Sequence, residues 1–340
     1  MKILIALLVL CLTSCESSSK PTLHLFAWGD YLAPEVLEQF QKEYNCNISI
    51  DTFDSNESMY AKLKLGSNSY DLIFPSQYYL GVLHSQNMIQ SIDAAKIHNL
   101  QNLDPRFEKL TTAQDLQFGI PFAISATGIA YRKDKVKNFD PSWTQFARTD
   151  LKGRMTMLND YREVIGAALQ VLGFSINTTN PQEIDQAVSL CLTWKHNLAK
   201  FENEQYKNGI ASGEYVISQA FSGDTLQVMA ENNNVGFQYA NEGTAVAMDF
   251  VAIPTNAPNL ELAYDFLNYL LEPTVAAKNI AFTHFLFPNK EAYALLSDDL
   301  RNSPVLFPPQ TVLDKSETVH DLGPANRLYI EAWDKIKAGS

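Results

Sequence analysis

Trp28, Asp30 and Tyr31 place an indole, a carboxylate and a phenol within four residues, directly after the apolar run Leu23 to Ala27. Flat, electron-rich rings beside a negative charge suit an organic cation. The carboxylate takes an ammonium, and the rings take methylenes and the outer face of the cation. The same stretch also reads as an ordinary strand-end turn, with Gly29 supplying backbone freedom, the rings packed on a core and Asp30 solvated. Asp160 and Glu163 form a second acidic pair. Their Asp-x-x-Glu spacing before a helical run is that of a helix cap, which satisfies orphan backbone donors. A capping carboxylate keeps a second oxygen, so capping and ligand contact can coexist. Asp249 is the third candidate. It stands between Met248 and Phe250 in a run from Ala245 to Ile253 that is otherwise apolar. An unpaired charge there is costly, so it requires either a ligand cation or a structural salt bridge. Tyr78 and Tyr79, just after Ser76, read either as core residues of the next helix or as cleft residues. Ferric ligation is a further use for paired tyrosines, but no phenolate-rich cluster accompanies them. The six histidines are scattered and read as satisfied or exposed side chains.

These side chains need elements to hold them. From Leu23 the chain alternates short apolar strands with amphipathic helices. Strands are expected at Leu23–Ala27, Asn47–Phe53 and 70–74, with helices at Pro34–Tyr44 and Asn56–Leu65. Such alternation means βα units and a largely parallel sheet. In these sheets ligands bind beyond the C-terminal strand ends. Trp28–Tyr31 and Ser76–Tyr79 both fall at such ends and so can face one crevice. Phe118 to Tyr131 is too long and unbroken for one ordinary strand, and reads as a segment that leaves one sheet and enters another. A second set of strands and helices follows, with strands at 154–158, 215–220 and 235–239 and helices at 161–172, 182–196 and 222–232. Ala245 to Pro254 is then a second extended crossing. The fold class is α/β, with two sheets in two lobes joined by a two-stranded hinge. Residues 22–125 with 248–293 form lobe 1, and 126–247 with 294–340 form lobe 2. The amphipathic tail, Pro324 to Ala338, packs on one lobe.

The 340 residues are enough for two real cores. A hydrophobic content of 46% and a charged content of 19% are ordinary for a globular protein. The net charge of −12 argues against nucleic acid and anionic membrane surfaces as partners, and is compatible with cationic ligands. Residues 1–14 read as a signal peptide: Lys2 is a minimal basic region, and Ile3 to Leu12 is apolar but too short to span a bilayer. Leu12-Thr13-Ser14-Cys15 resembles the bacterial lipobox, which makes Cys15 the expected lipidation site. Residues 15–21 form a Ser-rich tether. The expected location is extracytoplasmic, in the periplasm, with the membrane reached through the lipid anchor alone. Cys46 and Cys191 fall in different lobes and read as buried free thiols, although a disulfide is allowed in that compartment. No Cys/His cluster is present, so no metal site and no cofactor are expected.

Several blocks resemble the periplasmic spermidine/putrescine-binding family of ABC importers. They are Ala27–Tyr31, Asp54–Lys64, Tyr70–Tyr79, Leu158–Val164, Met248–Pro254 and the tail around Asp321-Leu322-Gly323, in family order. Among them, Ser-Asn-Glu-x-Met-Tyr-Ala-Lys-Leu and Asp-x-x-x-Pro-Ser-x-Tyr-Tyr are specific. The resemblance implies that Asp30, Asp160, Glu163 and Asp249 are the acids that hold an extended polyamine between the lobes. It implies Trp28, Tyr31, Tyr78, Phe221 and Phe285 as the ring box, with Ser76 as a lesser contact. Ala247 and Val319 depart from the family pattern, where tryptophan and glutamine are typical. Phe221 and Phe285 replace Trp and Tyr. One end of the cleft is therefore expected to be roomier and less polar.

The resemblance implies an extracytoplasmic polyamine-binding lipoprotein that delivers its ligand to an ABC permease. Two alternatives stand beside it: a binding protein for another small cationic solute, and a sensory or structural lipoprotein outside transport. The absence of a Gly-x-Ser-x-Gly elbow, a His-Glu-x-x-His spacing, or a Ser or Cys with a suggestive base argues against an enzyme.

Overall fold

Leu23, Leu25 and Phe26 of strand β1 (Thr22–Trp28) are essentially fully buried, and this strand is the centre of the first sheet. The computed structural model describes residues 20–66 and 69–339. The signal segment, Cys15 and most of the tether lie outside those residues. Helix α1 (Pro34–Glu43) starts on a proline, whose missing N–H costs nothing at that position, and buries Val36 and Phe40. Strand β2 (Asn47–Phe53) pairs in parallel with β1. Helix α2 (Asn56–Leu65) is capped by the Ser55 hydroxyl, which accepts from the Ser58 N–H at 3.2 Å. Strand β3 (Leu72–Ile73) pairs in parallel with the other edge of β1, giving the order β2-β1-β3. Helix α3 (Gln77–Ser85) follows it, and helix α4 (Ala113–Phe118) leads into the first long strand.

That strand, β4 (Ile120–Arg132), is the expected crossing. Its first half, Ile120 to Ala126, pairs antiparallel with the strand described below as β9, and its second half, Thr127 to Arg132, pairs with the second lobe's strands. The packing changes at the same point. Ile124 and Ala126 belong to one hydrophobic core, and Ile129 to another. The second lobe contains β5 (Met155–Met157), α5 (Tyr161–Val171), α6 (Pro181–Lys195), β6 (Leu198–Phe201), α7 (Tyr206–Ser212), β7 (Ile217–Phe221), α8 (Ser222–Glu231) and β8 (Val235–Gln238). Its sheet is mixed: β5 runs parallel to β6 and β7, while β4 runs antiparallel to β7 and β8.

Strand β9 (Ala245–Val251) returns the chain to the first lobe. Its end bridges β3 and the residues after it, through Ile73–Ala252 and Ser76–Asp249. Helices α9 (Leu260–Leu270) and α10 (Pro273–Thr283) then cover the first sheet, with Phe266, Tyr269 and Ile280 buried in its core.

The remaining chain departs from the expected lobe boundary at residue 294. Leu296 and Leu306 are buried in the first core, and Leu300 and Phe307 pack against it. The final crossing therefore falls later, past the short helices α11 (Asp298–Arg301) and α12 (Gln310–Leu313). There β10 (Glu317–Thr318) lies parallel to β9, so a third short strand joins the crossing pair. Helix α13 (Asn326–Ala338) packs Tyr329, Ala332 and Ile336 into the second core. Cys46 and Cys191 are free thiols, each buried in a different core. Among the described residues, no helix is long and apolar enough to cross a membrane.

Candidate functional site

The C-terminal ends of β1, β3, β5 and β7 and the crossing strand β9 converge on a cleft that opens to solvent, with about 1110 Å³ of unfilled space when its open mouth is included. Nine of the ten expected contact residues line it: Trp28, Tyr31, Ser76, Tyr78, Asp160, Glu163, Phe221, Asp249 and Phe285. The tenth, Asp30, is exposed and does not line the wall. The turn explains this. Asp30, rather than Gly29, takes the left-handed conformation at φ 52°, a conformation Asp tolerates better than most residues. Its charge still reaches the cleft mouth, where it disfavours ionisation of Asp224 and Glu204.

Among the described residues, no lysine or arginine hydrogen-bonds or ion-pairs with Asp249. Tyr31 donates its hydroxyl to Asp249 Oδ2, and Ser76 donates to Oδ1 at 2.6 Å. Burial pushes its carboxyl up to about 6, and these two hydroxyls pull against that rise. Neutral donors thus hold the carboxylate in place while leaving its charge uncompensated. The salt bridge that the sequence left open for this residue is not what holds it. Tyr31 packs edge-on to Phe285 at 5.9 Å between centroids, so the acid and the ring box share one side chain.

Asp160 is the N-cap of α5, as its spacing anticipates. Its Oδ1 accepts from the N–H groups of Arg162 at 2.8 Å and Glu163 at 3.2 Å. Glu163 departs from the capping reading. Its carboxylate turns to Thr127, whose hydroxyl donates to it at 2.8 Å. Burial, and then the Asp160 charge, push the Glu163 carboxyl up to about 8. Burial also raises Asp160, against the backbone donors that favour its charge. The nearby Arg162 guanidinium faces away, donating to the His320 and Ile176 carbonyls and to Asn177 Oδ1, and lying over the Tyr329 ring at 4.9 Å.

Tyr78 lines the cleft and accepts a hydrogen bond from Asn56 Nδ2 at 3.1 Å. The Asn56 side-chain oxygen accepts from the Ser76 N–H at 3.1 Å, so one asparagine fixes both candidates. Tyr79 donates to Glu57 at 3.1 Å. Sequence reasoning named neither Asn56 nor Glu57 as a contact, although both lie inside the specific block Asp54–Lys64. Glu57 faces Asp160 across the cleft; burial and that charge raise its carboxyl. Asp224, Glu204 and Lys207 also line the cleft and were missed. Asp224 had a readable signal, because it lies three residues beyond Phe221 at a strand end. Glu204 and Lys207 fall in and after a short loop with no pattern.

Ala247 and Val319 line the cleft as well. Val319 is buried, in a small cluster against which Tyr78 packs. Across the lobes, Phe285 rests on the bare backbone of Gly223, where a Cβ would come within 2.7 Å of the ring. Gln227 Nε2 donates to the Thr283 carbonyl at 2.7 Å, tying α8 to α10. Among the described residues, seven carboxylates and two cations line the cleft.

Two α/β lobes, joined by crossing strands and facing each other over an acidic, ring-lined cleft, define a two-domain substrate-binding protein. The chain belongs to the bacterial extracellular solute-binding protein family, whose model matches residues 35–308. It is 34% identical over 337 residues to the spermidine/putrescine-binding periplasmic protein of Escherichia coli, covering 98% of this chain and 96% of that one. It is 32% identical to the putrescine-binding periplasmic protein PotF of the same organism, covering 95% and 93%. Among solved structures, it resembles the Tp0655 (TpPotD) lipoprotein of Treponema pallidum with a TM-score of 0.84 and 31% identity, covering 93% of this chain and 99% of that one. The substrate-binding protein PotD of a spermidine/putrescine ABC transporter from Streptococcus pneumoniae gives a TM-score of 0.82 at 27% identity, covering 94% and 99%.

Proposed function

We propose that this chain captures spermidine- or putrescine-type polyamines in its interlobe cleft and presents them to an ABC permease. The observation that carries this reading is the state of Asp160, Glu163 and Asp249. Glu163 is buried, and Asp160 and Asp249 are half-buried. All three carboxylates accept from neutral donors beside aromatic rings, and the Arg162 guanidinium next to Asp160 and Glu163 makes its hydrogen bonds elsewhere. A charge there is costly unless a cation arrives. Polyamine-binding names among relatives that span the chain support the same reading.

The energetics are adequate. A charge-assisted hydrogen bond contributes roughly 1.5–3 kcal/mol, and a desolvated cation–π contact about 0.5–2 kcal/mol. Two or three such ammonium sites offset an association cost of about 4–15 kcal/mol. The role is binding, with no catalytic step. A ligand that joins acids on both lobes favours their closure, and the closed pair of lobes is what a permease would read. Calorimetry on the intact protein should give a dissociation constant below about 100 μM for putrescine or spermidine. No heat and no thermal shift at millimolar polyamine would sink the reading.

Lipidation at Cys15 belongs to the same proposal, because a receptor held at the membrane stays near its permease. When the chain is expressed in a bacterium, Cys15→Ser should move the mature protein from the membrane fraction to the soluble extracytoplasmic fraction. A distribution identical to that of the parent would remove the anchor.

A further inference from the structure

Lys207 is the cationic side chain turned towards the cleft acids. Its Nζ lies 3.7 Å from Asp224 Oδ1 and 3.9 Å from Glu204 Oε2. The Lys207 side chain is 23% exposed and that of Asp224 15% exposed, so this contact is partly shielded from water. The other oxygen of Asp224 accepts the Tyr206 hydroxyl at 2.6 Å. Adjacent residues of α7 therefore engage both oxygens of Asp224 from within the protein. The other carboxylates around this end are Glu204, Asp30 and Asp54, all exposed at the rim. Water and salt screen these rim charges, which serve the approach of a cation more than its final seat. Asp160, Glu163 and Asp249 differ: among the described residues no ammonium or guanidinium is hydrogen-bonded to them. Arg162, whose charge favours the ionised forms of Asp160 and Glu163, donates to His320, Ile176 and Asn177 instead.

We propose that Lys207 acts as a built-in competitor for one ammonium position, and so sets the preference of the cleft for short diamines over longer polyamines. This inference rests on the polyamine reading above. A ligand ammonium that reaches Asp224 has two options. It displaces the Lys207 ammonium, or it sits beside a like charge in a poorly screened place. Both weaken that position. A diamine needs only the two stations at which, among the described residues, no protein cation is hydrogen-bonded or ion-paired, Asp249 and the Asp160–Glu163 pair. A triamine or tetramine carries a further charge that must go towards the Asp224 end or remain unpaired. The tether matters here, because a side chain bonded to the backbone competes without paying the association entropy that a free amine pays.

The test is a set of calorimetric titrations of the intact protein, Lys207→Met and Lys207→Arg with putrescine, spermidine and spermine. Lys207→Met should tighten spermidine and spermine at least tenfold while changing putrescine less than threefold. Lys207→Arg keeps the charge and should keep the parent order. Lys207→Gln replaces the methionine variant if thermal melts show that variant unfolded. An unchanged spermidine-to-putrescine ratio in the neutral variants, with polyamines still bound by all forms, would overturn the role of Lys207 and leave the receptor standing. An absence of polyamine binding by the parent itself would overturn both.

Discussion

Asp249→Asn should weaken polyamine binding at least tenfold, about 1.4 kcal/mol, and raise the melting temperature of the ligand-free protein. The two effects have one source. Burial holds the Asp249 carboxyl near 6, against an ordinary value of 3.8. A carboxylate with a raised folded-state value destabilises the fold once ionised. The stability it forfeits is intact below about pH 4 and is lost as pH rises through about 6. At pH 7.5 the forfeited amount is on the order of 3 kcal/mol. Asparagine keeps the shape and removes the charge. The Tyr31 and Ser76 hydroxyls can rotate to accept from the amide as readily as they donate to the carboxylate. Even partial recovery should lift the melting temperature by about 2 °C or more. The ligand loses a full charge partner at a half-buried position, where water competes less than at the surface. Calorimetry and thermal melts at pH 7.5 check both halves. Unchanged affinity would make Asp249 a structural acid, and a lower melting temperature would mean that its charge already has a partner.

Asp249 was legible in the sequence because it is an exception. One carboxylate in an apolar strand stands out against the alternation around it. The two long crossings were legible for the related reason that an unbroken extended run exceeds what one sheet can use. The ends of β1 and β3 were legible as site walls because parallel sheets bind ligands there. Other features left no such mark. Strand β10 is two residues long, and only its partner β9, some seventy residues earlier, makes it a strand. The late lobe boundary depends on where Leu296 and Leu306 find a core, which is a long-range outcome. In the sequence, the turn that carries Trp28 and Tyr31, and the resemblance to the family acids, both put the Asp30 carboxylate in the wall. The positive φ at Asp30 turns it to the rim while Tyr31 points inward. Lys207 and Glu204 follow β6 in a loop and the short helix α7, where charged residues are commonplace. Only the fold brings them to Asp224. Local pattern thus marked Asp249 by the rule it breaks and Asp160 by the cap it makes, and gave no sign of Glu204, which only the fold turns to the cleft.

Polyamine affinity should rise at least tenfold between pH 6 and pH 8, with Glu163 as the main cause. Asp160, half-buried, and Glu163, buried, lie side by side, and their environments differ. Asp160 accepts two backbone N–H bonds at the start of α5, which favour its charged form. Glu163 accepts one hydroxyl, from Thr127. The proton the pair retains at neutral pH therefore belongs mainly to Glu163, whose carboxyl sits at about 8. A ligand ammonium favours the carboxylate and drives that proton off. Binding is thus linked to proton release, and the dissociation constant falls as pH rises towards 8, then levels while the amines stay protonated. The stability of the ligand-free protein has the opposite slope. The folded-state value is raised, so the contribution of Glu163 is fully present below the ordinary value of 4.5 and is lost as pH rises through about 8. Glu163→Gln should flatten both curves, leaving the shallower dependence of Asp249 at lower pH. Titrations at pH 7 in two buffers of different ionisation enthalpy count the released protons directly. No buffer dependence, together with a flat affinity from pH 6 to 8, would place the ligand ammonium away from Glu163 and leave that residue as a buried, neutral partner of Thr127.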